Sequence, residues 1–153
     1  MKNNLRSQKF VTLSVVLLLA SFTAIPEISA KHHTDSSKAA NSGKIKAIGS
    51  IAELETTKAQ AKTSNKVVAI KFFSPSCSHC HKVAPAYSKL ANQADYDHVI
   101  FTEINAPANR DIAQKYSITA YPTFVILDRN GAEAKKIRGA NIAAVEAALA
   151  ELK

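Results

Sequence analysis

A chain of 153 residues fits one packed domain together with a leader. Its 20 basic against 12 acidic side chains give a net charge of +8 at pH 7. The lysines are spread over predicted helices, strands and the N-terminal tail, with no dense basic block and no interleaved aromatics, which argues against a nucleic-acid partner.

Residues 1–30 read as a secretory signal peptide. Lys2, Arg6 and Lys9 give a positive start, and Phe10 to Ile25 is apolar apart from Thr12, Ser14, Ser21 and Thr23. Pro26 then breaks the helix, and Ile28-Ser29-Ala30 ends on the small residue that a signal peptidase requires. The apolar run is short for a membrane span of roughly 20 residues, so cleavage is expected rather than a lasting anchor. No cysteine lies near the end of the leader, which excludes lipoprotein processing. Cleavage leaves 17 basic and 11 acidic side chains, a net +6. The expected destination is a periplasm or the exterior, where disulfides persist. Residues 31–43 are polar, rich in Ser, Lys, Asn and Ala and free of large apolar residues, so a disordered linker is expected there.

The folded domain is expected over residues 44–153. Ile45 to Gly49 is a short strand candidate, and Ser50-Ile51-Ala52-Glu53 has the form of a capping box opening a helix that runs to about Thr63. Val67 to Phe73 is nearly all apolar, as in a strand covered on both faces. A helix follows from about Cys77 to Leu90, with Val83, Ala84, Tyr87 and Leu90 at helical spacing and Pro85 inside it, where a kink is expected. Val99 to Asn105 is a second central strand, and Ala108 to Tyr116 a short helix. Thr123 to Leu127 and Ala134 to Ile137 form a hairpin about Asp128-Arg129-Asn130-Gly131, whose Asn-Gly is a strong turn signal. Asn141 caps a last helix that turns Ile142, Val145, Ala148 and Leu149 inward. The order β-α-β-α-β-α-β-β-α predicts an α/β fold, a central mixed sheet flanked by helices around one core.

The most informative residues are the only two cysteines, three apart in Ser76-Cys77-Ser78-His79-Cys80-His81, directly after the apolar strand. A strand that delivers Cys-x-x-Cys to the first turn of a helix makes a reactive dithiol, because the helix N-terminus stabilises a thiolate. An inert stapling disulfide is the bland alternative. It explains little, since closing so small a loop removes little chain entropy. His79, between the cysteines, can stabilise a Cys77 thiolate by charge or hydrogen bonding, which favours the reduced form and makes the disulfide more oxidising.

Three features together resemble the thioredoxin superfamily across Ile45 to Lys153: the strand–Cys-x-x-Cys–helix unit, Pro85 eight residues after Cys77, and Tyr121-Pro122-Thr123 before a strand. The resemblance implies the thioredoxin fold, with Pro122 in the cis form facing the dithiol. It further implies Cys77 as attacking thiol, Cys80 as resolving thiol, and Tyr121 pairing through its backbone with an extended substrate segment. Cys-x-His-Cys and Tyr-Pro-Thr are similar to protein disulfide isomerase, and the former also to periplasmic disulfide oxidases. A reduction potential of roughly −120 to −220 mV is therefore expected. The partners implied are proteins with thiols or disulfides and a redox-recycling partner, and no cofactor beyond the dithiol is needed. The chain departs from the family in two places. Ser76 stands where a tryptophan is common, leaving the substrate-binding rim less apolar. Lys71 and Glu103 occupy, with charges exchanged, the positions of a buried acid and a neighbouring lysine, and are expected to form an ion pair behind Cys80 that tunes it, with Glu103 relaying its proton.

Two other chemistries use the same residues. Cys77-Ser78-His79-Cys80-His81 satisfies the c-type haem attachment pattern, although the only methionine is Met1 and no Met axial ligand exists. Cys77, Cys80 and His79 or His81 also suit Cu(I) or Zn(II), and a new terminus at Lys31-His32-His33 offers Cu(II) a nitrogen site through His33.

Overall fold

The computed structural model describes residues 44–153; the expected signal peptide and linker lie outside the described residues. The elements are β1 (Lys46–Ala47), α1 (Ile51–Thr63), β2 (Val67–Phe73), α2 (Ser78–Ala91), a 3-10 turn (Ala94–Tyr96), β3 (Val99–Asn105), α3 (Arg110–Lys115), β4 (Thr123–Leu127), β5 (Glu133–Arg138) and α4 (Ile142–Ala150). Among the described residues the strands form one five-stranded sheet in the order β1-β3-β2-β4-β5. β2 pairs parallel with β3 and antiparallel with β4, so it lies at the centre. Every residue from Val67 to Phe72 is buried, which is why all of them but Lys71 are apolar, without alternation.

Strand alternation divides the core between the two faces of the sheet. On one face Val67, Ala69, Phe101, Phe124 and Ile126 pack with Val83, Tyr87 and Leu90 of α2 and with Val145 and Leu149 of α4. On the other, Val68, Ile70, Phe72, Ile104, Val125 and Leu127 pack with Leu54 and Ala61 of α1 and Ile112 of α3. Tyr87 ties the first layer to the sheet: its hydroxyl donates to the carbonyls of Ala69 at 2.9 Å and Thr102 at 3.1 Å.

Several boundaries differ from expectation. β1 pairs over two residues only, because after Ile48 N–H donates to Glu103 O the chain turns to its helix cap. The capping box at Ser50 is displaced by one residue. Ser50 Oγ accepts from Glu53 N–H as expected, but the Glu53 carboxylate accepts from Gly49 N–H at 2.7 Å rather than from Ser50. α2 continues through Pro85, which has no N–H to offer the carbonyl of His81. α3 starts at Arg110 rather than Ala108, since Ala108 and Asn109 N–H turn back to Asn105 O. The hairpin turn is closed by Asp128, whose carboxylate accepts from Asn130 and Ala132 N–H while Gly131 takes φ +80°.

Candidate active site

The C-terminal ends of β2 and β3 open at one edge of the sheet, and antiparallel β4 starts there. Residues 74–77 carry the chain from β2 into α2, and Cys77 is the helix cap. Its extended backbone (φ −88°, ψ 107°) sets its Sγ to accept the N–H of Cys80 at 3.2 Å. An N–H of the first helical turn is thus aimed at the sulfur, the arrangement that stabilises negative charge there. Cys77 is half-buried and Cys80 is 4% exposed, so one sulfur faces an incoming reagent and the other lies behind it. The two are joined in a disulfide.

The loop is held from both sides. Ser74 and Ser76 hydroxyls lie 3.1 Å apart, and the His81 ring Nε2 donates to Pro75 O at 2.7 Å. His81 is thereby turned to the loop that presents Cys77. The sequence offered it only as a haem-pattern or metal-ligand histidine; its hold on the loop was not legible, because its partner is a backbone carbonyl. His79 and Ser76 are exposed on the rim. Among the described residues no group of three or more His, Cys, Asp or Glu is placed to hold a metal ion, and His33 lies outside them.

Tyr121 and Pro122 come to this edge through the sheet register. Phe72 pairs with Thr123, so the residues preceding β4 stand beside the end of β2 from which the cysteine loop departs. The Tyr121–Pro122 peptide bond is cis, as the resemblance implied. Pro122 is buried, and its carbonyl accepts from Gly139 N–H at 2.8 Å. Tyr121 is exposed, and among the described residues its backbone N–H and C=O enter no backbone hydrogen bond.

Beneath the loop, Lys71 Nζ meets Glu103 Oε2 at 2.8 Å, with side-chain exposures of 6% and 13%. The two residues are paired in register on β2 and β3. The ammonium also lies 5.4 Å from the Phe73 ring centre and 5.3 Å from that of Tyr87, within cation–π range. Burial, and then the nearby negative charge of Glu103, push the Tyr87 hydroxyl well above the usual phenol range.

The thioredoxin family model matches residues 50–151. The chain belongs to the thioredoxin family. It is 33% identical over 98 residues to a peptide-N(4)-(N-acetyl-beta-glucosaminyl)asparagine amidase of Caenorhabditis elegans, covering 64% of this chain and 16% of that protein. It is 36% identical over 85 residues to a protein disulfide-isomerase of Schizosaccharomyces pombe, covering 55% of this chain and 23% of the relative. The solved thioredoxin of Schistosoma mansoni superposes with a TM-score of 0.65 at 31% identity, over 72% of this chain and 99% of that one. The chain spans less than a third of the length of the first curated relatives it matches. Within this family the fold brings Cys77, Cys80, Tyr121 and Pro122 to one edge, and sets Lys71 against Glu103 in the adjoining layer.

Proposed function

We propose that the protein is an exported protein-disulfide oxidoreductase working through Cys77 and Cys80. The observation that carries this reading is the pair of unequal sulfurs, one capping a helix and receiving an N–H, the other buried one turn on. In the oxidising direction, a substrate thiolate attacks the Cys77 sulfur and Cys80 leaves as a thiolate. A second substrate thiolate then attacks the substrate sulfur of the mixed disulfide and expels Cys77. The substrate gains a disulfide and loses two electrons, and the protein keeps two thiols until a partner reoxidises it. Reduction of a substrate is the reverse sequence. No cofactor beyond the dithiol enters either direction.

The remaining residues take supporting roles. Tyr121 offers its backbone to an extended substrate segment beside the buried Pro122, and Ser76 makes the rim opposite polar. His79 stabilises the Cys77 thiolate, which favours oxidation of substrates and a potential of roughly −120 to −220 mV. Glu103, held by Lys71, moves the proton of Cys80. The signal-like residues 1–30 support export, and the disulfide chemistry suits a periplasmic or secreted setting. Trapping tests the reading. Cys80→Ala accumulates mixed disulfides with substrate proteins through Cys77, whereas Cys77→Ala accumulates none. Equal trapping by the two variants, or none by either, overturns the reading.

A further inference from the structure

Beside Tyr121 the surface has an open hollow of about 340 Å3 that lies outside the dithiol itself. Its floor is Ala106, Ala113 and Ile118, and its polar groups are Arg110 and Gln114 on α3. Arg110 is exposed and, among the described residues, pairs with no carboxylate. Asp111, next to it in the chain, is engaged locally: its Oδ1 accepts from Ile112 N–H at 2.8 Å. One uncommitted guanidinium therefore lines a small apolar recess next to the backbone offered to substrate.

We infer that this hollow is a substrate subsite in which Arg110 selects protein segments carrying an acidic side chain near the reacting cysteine. The inference rests on the exchange reading above and names the substrate class for it. A segment laid along Tyr121 places its cysteine toward Cys77 and a neighbouring residue over the hollow. A Glu there lays its methylenes on Ala113 and Ile118 and its carboxylate beside the planar guanidinium, which has donors for two oxygens. A lysine there meets a cation instead, so the subsite discriminates by repulsion as well as by attraction.

The test uses the reduced full-length protein and synthetic peptides with one cysteine in disulfide linkage to neutral 2-mercaptopyridine. Cys77 attacks the peptide sulfur and releases the pyridine thiol, whose absorbance gives the rate; Cys80 then displaces the peptide and the protein disulfide forms. The parent peptide is uncharged, and its copies place one Glu or one Lys at each of the two positions on either side of the cysteine. At the best position the Glu copy is expected to react roughly three- to tenfold faster than the Lys copy at low salt, as a partly exposed charge pair allows. The advantage shrinks in 0.5 M salt. The ratio of the two rates is read in each variant, so a general change in reactivity cancels. Arg110→Gln brings the ratio toward one and Arg110→Glu inverts it. A wild-type ratio of one at every position, or a ratio that Arg110→Glu leaves in place, overturns the subsite while the exchange reading stands. No release from the uncharged parent overturns the exchange reading and the subsite with it.

Discussion

Lys71→Met strands the Glu103 carboxylate in a layer where Glu103 is 13% exposed and its only ion-pair partner among the described residues is Lys71. Removing one member of a buried pair costs about 3–5 kcal/mol, because the remaining charge stays desolvated. The slight exposure of Glu103 sets the expected loss at the lower end, about 3 kcal/mol. With a urea slope of about 1.5 kcal/mol per molar, the unfolding midpoint falls by about 2 M. Lys71→Met combined with Glu103→Leu removes both charges and fills the space with apolar atoms, and is expected to recover most of the loss. Urea unfolding of the wild type, the two single variants and the double variant closes a double-mutant cycle with a coupling energy of about 2 kcal/mol or more. Single losses below about 1 kcal/mol that simply add would refute the reasoning, showing that water screens both groups as it does at a surface.

Glu103→Gln preserves an oxygen for the Lys71 ammonium but removes the group proposed to carry the Cys80 proton, so the exchange rate is expected to acquire a different pH profile; an unchanged profile removes the relay. Tyr87→Phe deletes the hydroxyl that spans Ala69 and Thr102, at an expected cost of about 1–2 kcal/mol measured by urea unfolding. The buried Tyr87 phenol stays protonated in the fold beyond the range at which the unfolded chain ionises it. Its contribution is therefore fully present below about pH 10 and is lost as the pH rises past it. Thermal midpoints followed upward from pH 9 should fall less steeply in Tyr87→Phe than in the wild type, and parallel slopes would count against this assignment.

The central elements were legible because each has an unambiguous local signal. Val67–Phe73 is apolar apart from Lys71, and Asn141 caps α4 by accepting Ala144 N–H, as its position suggested. Cys77 and Cys80 were legible from the strand before them and the helix after them. Weaker elements were set by tertiary pairing that leaves no periodicity. β1 ends where its parallel partner β3 stops holding it, and the 3-10 turn at Ala94–Tyr96 is a three-residue stretch with no apolar spacing to announce it. The resemblance puts Lys71 and Glu103 on neighbouring strands, and the β2–β3 register sets them directly opposite each other. What remained hidden depends on loops meeting across the fold. The Pro75 carbonyl is what gives His81 its role, and Arg110 joins Tyr121 only because α3 and the start of β4 line the same hollow.

The most direct measurement is which sulfur of the reduced protein an alkylating reagent takes first, resolved by mass spectrometry of quenched time points. The account predicts that Cys77 reacts at pH 7 faster than the cysteine of an unstructured peptide, and that Cys80 stays unmodified until the protein is denatured. Equal modification of the two cysteines, or earlier loss of Cys80, would contradict it.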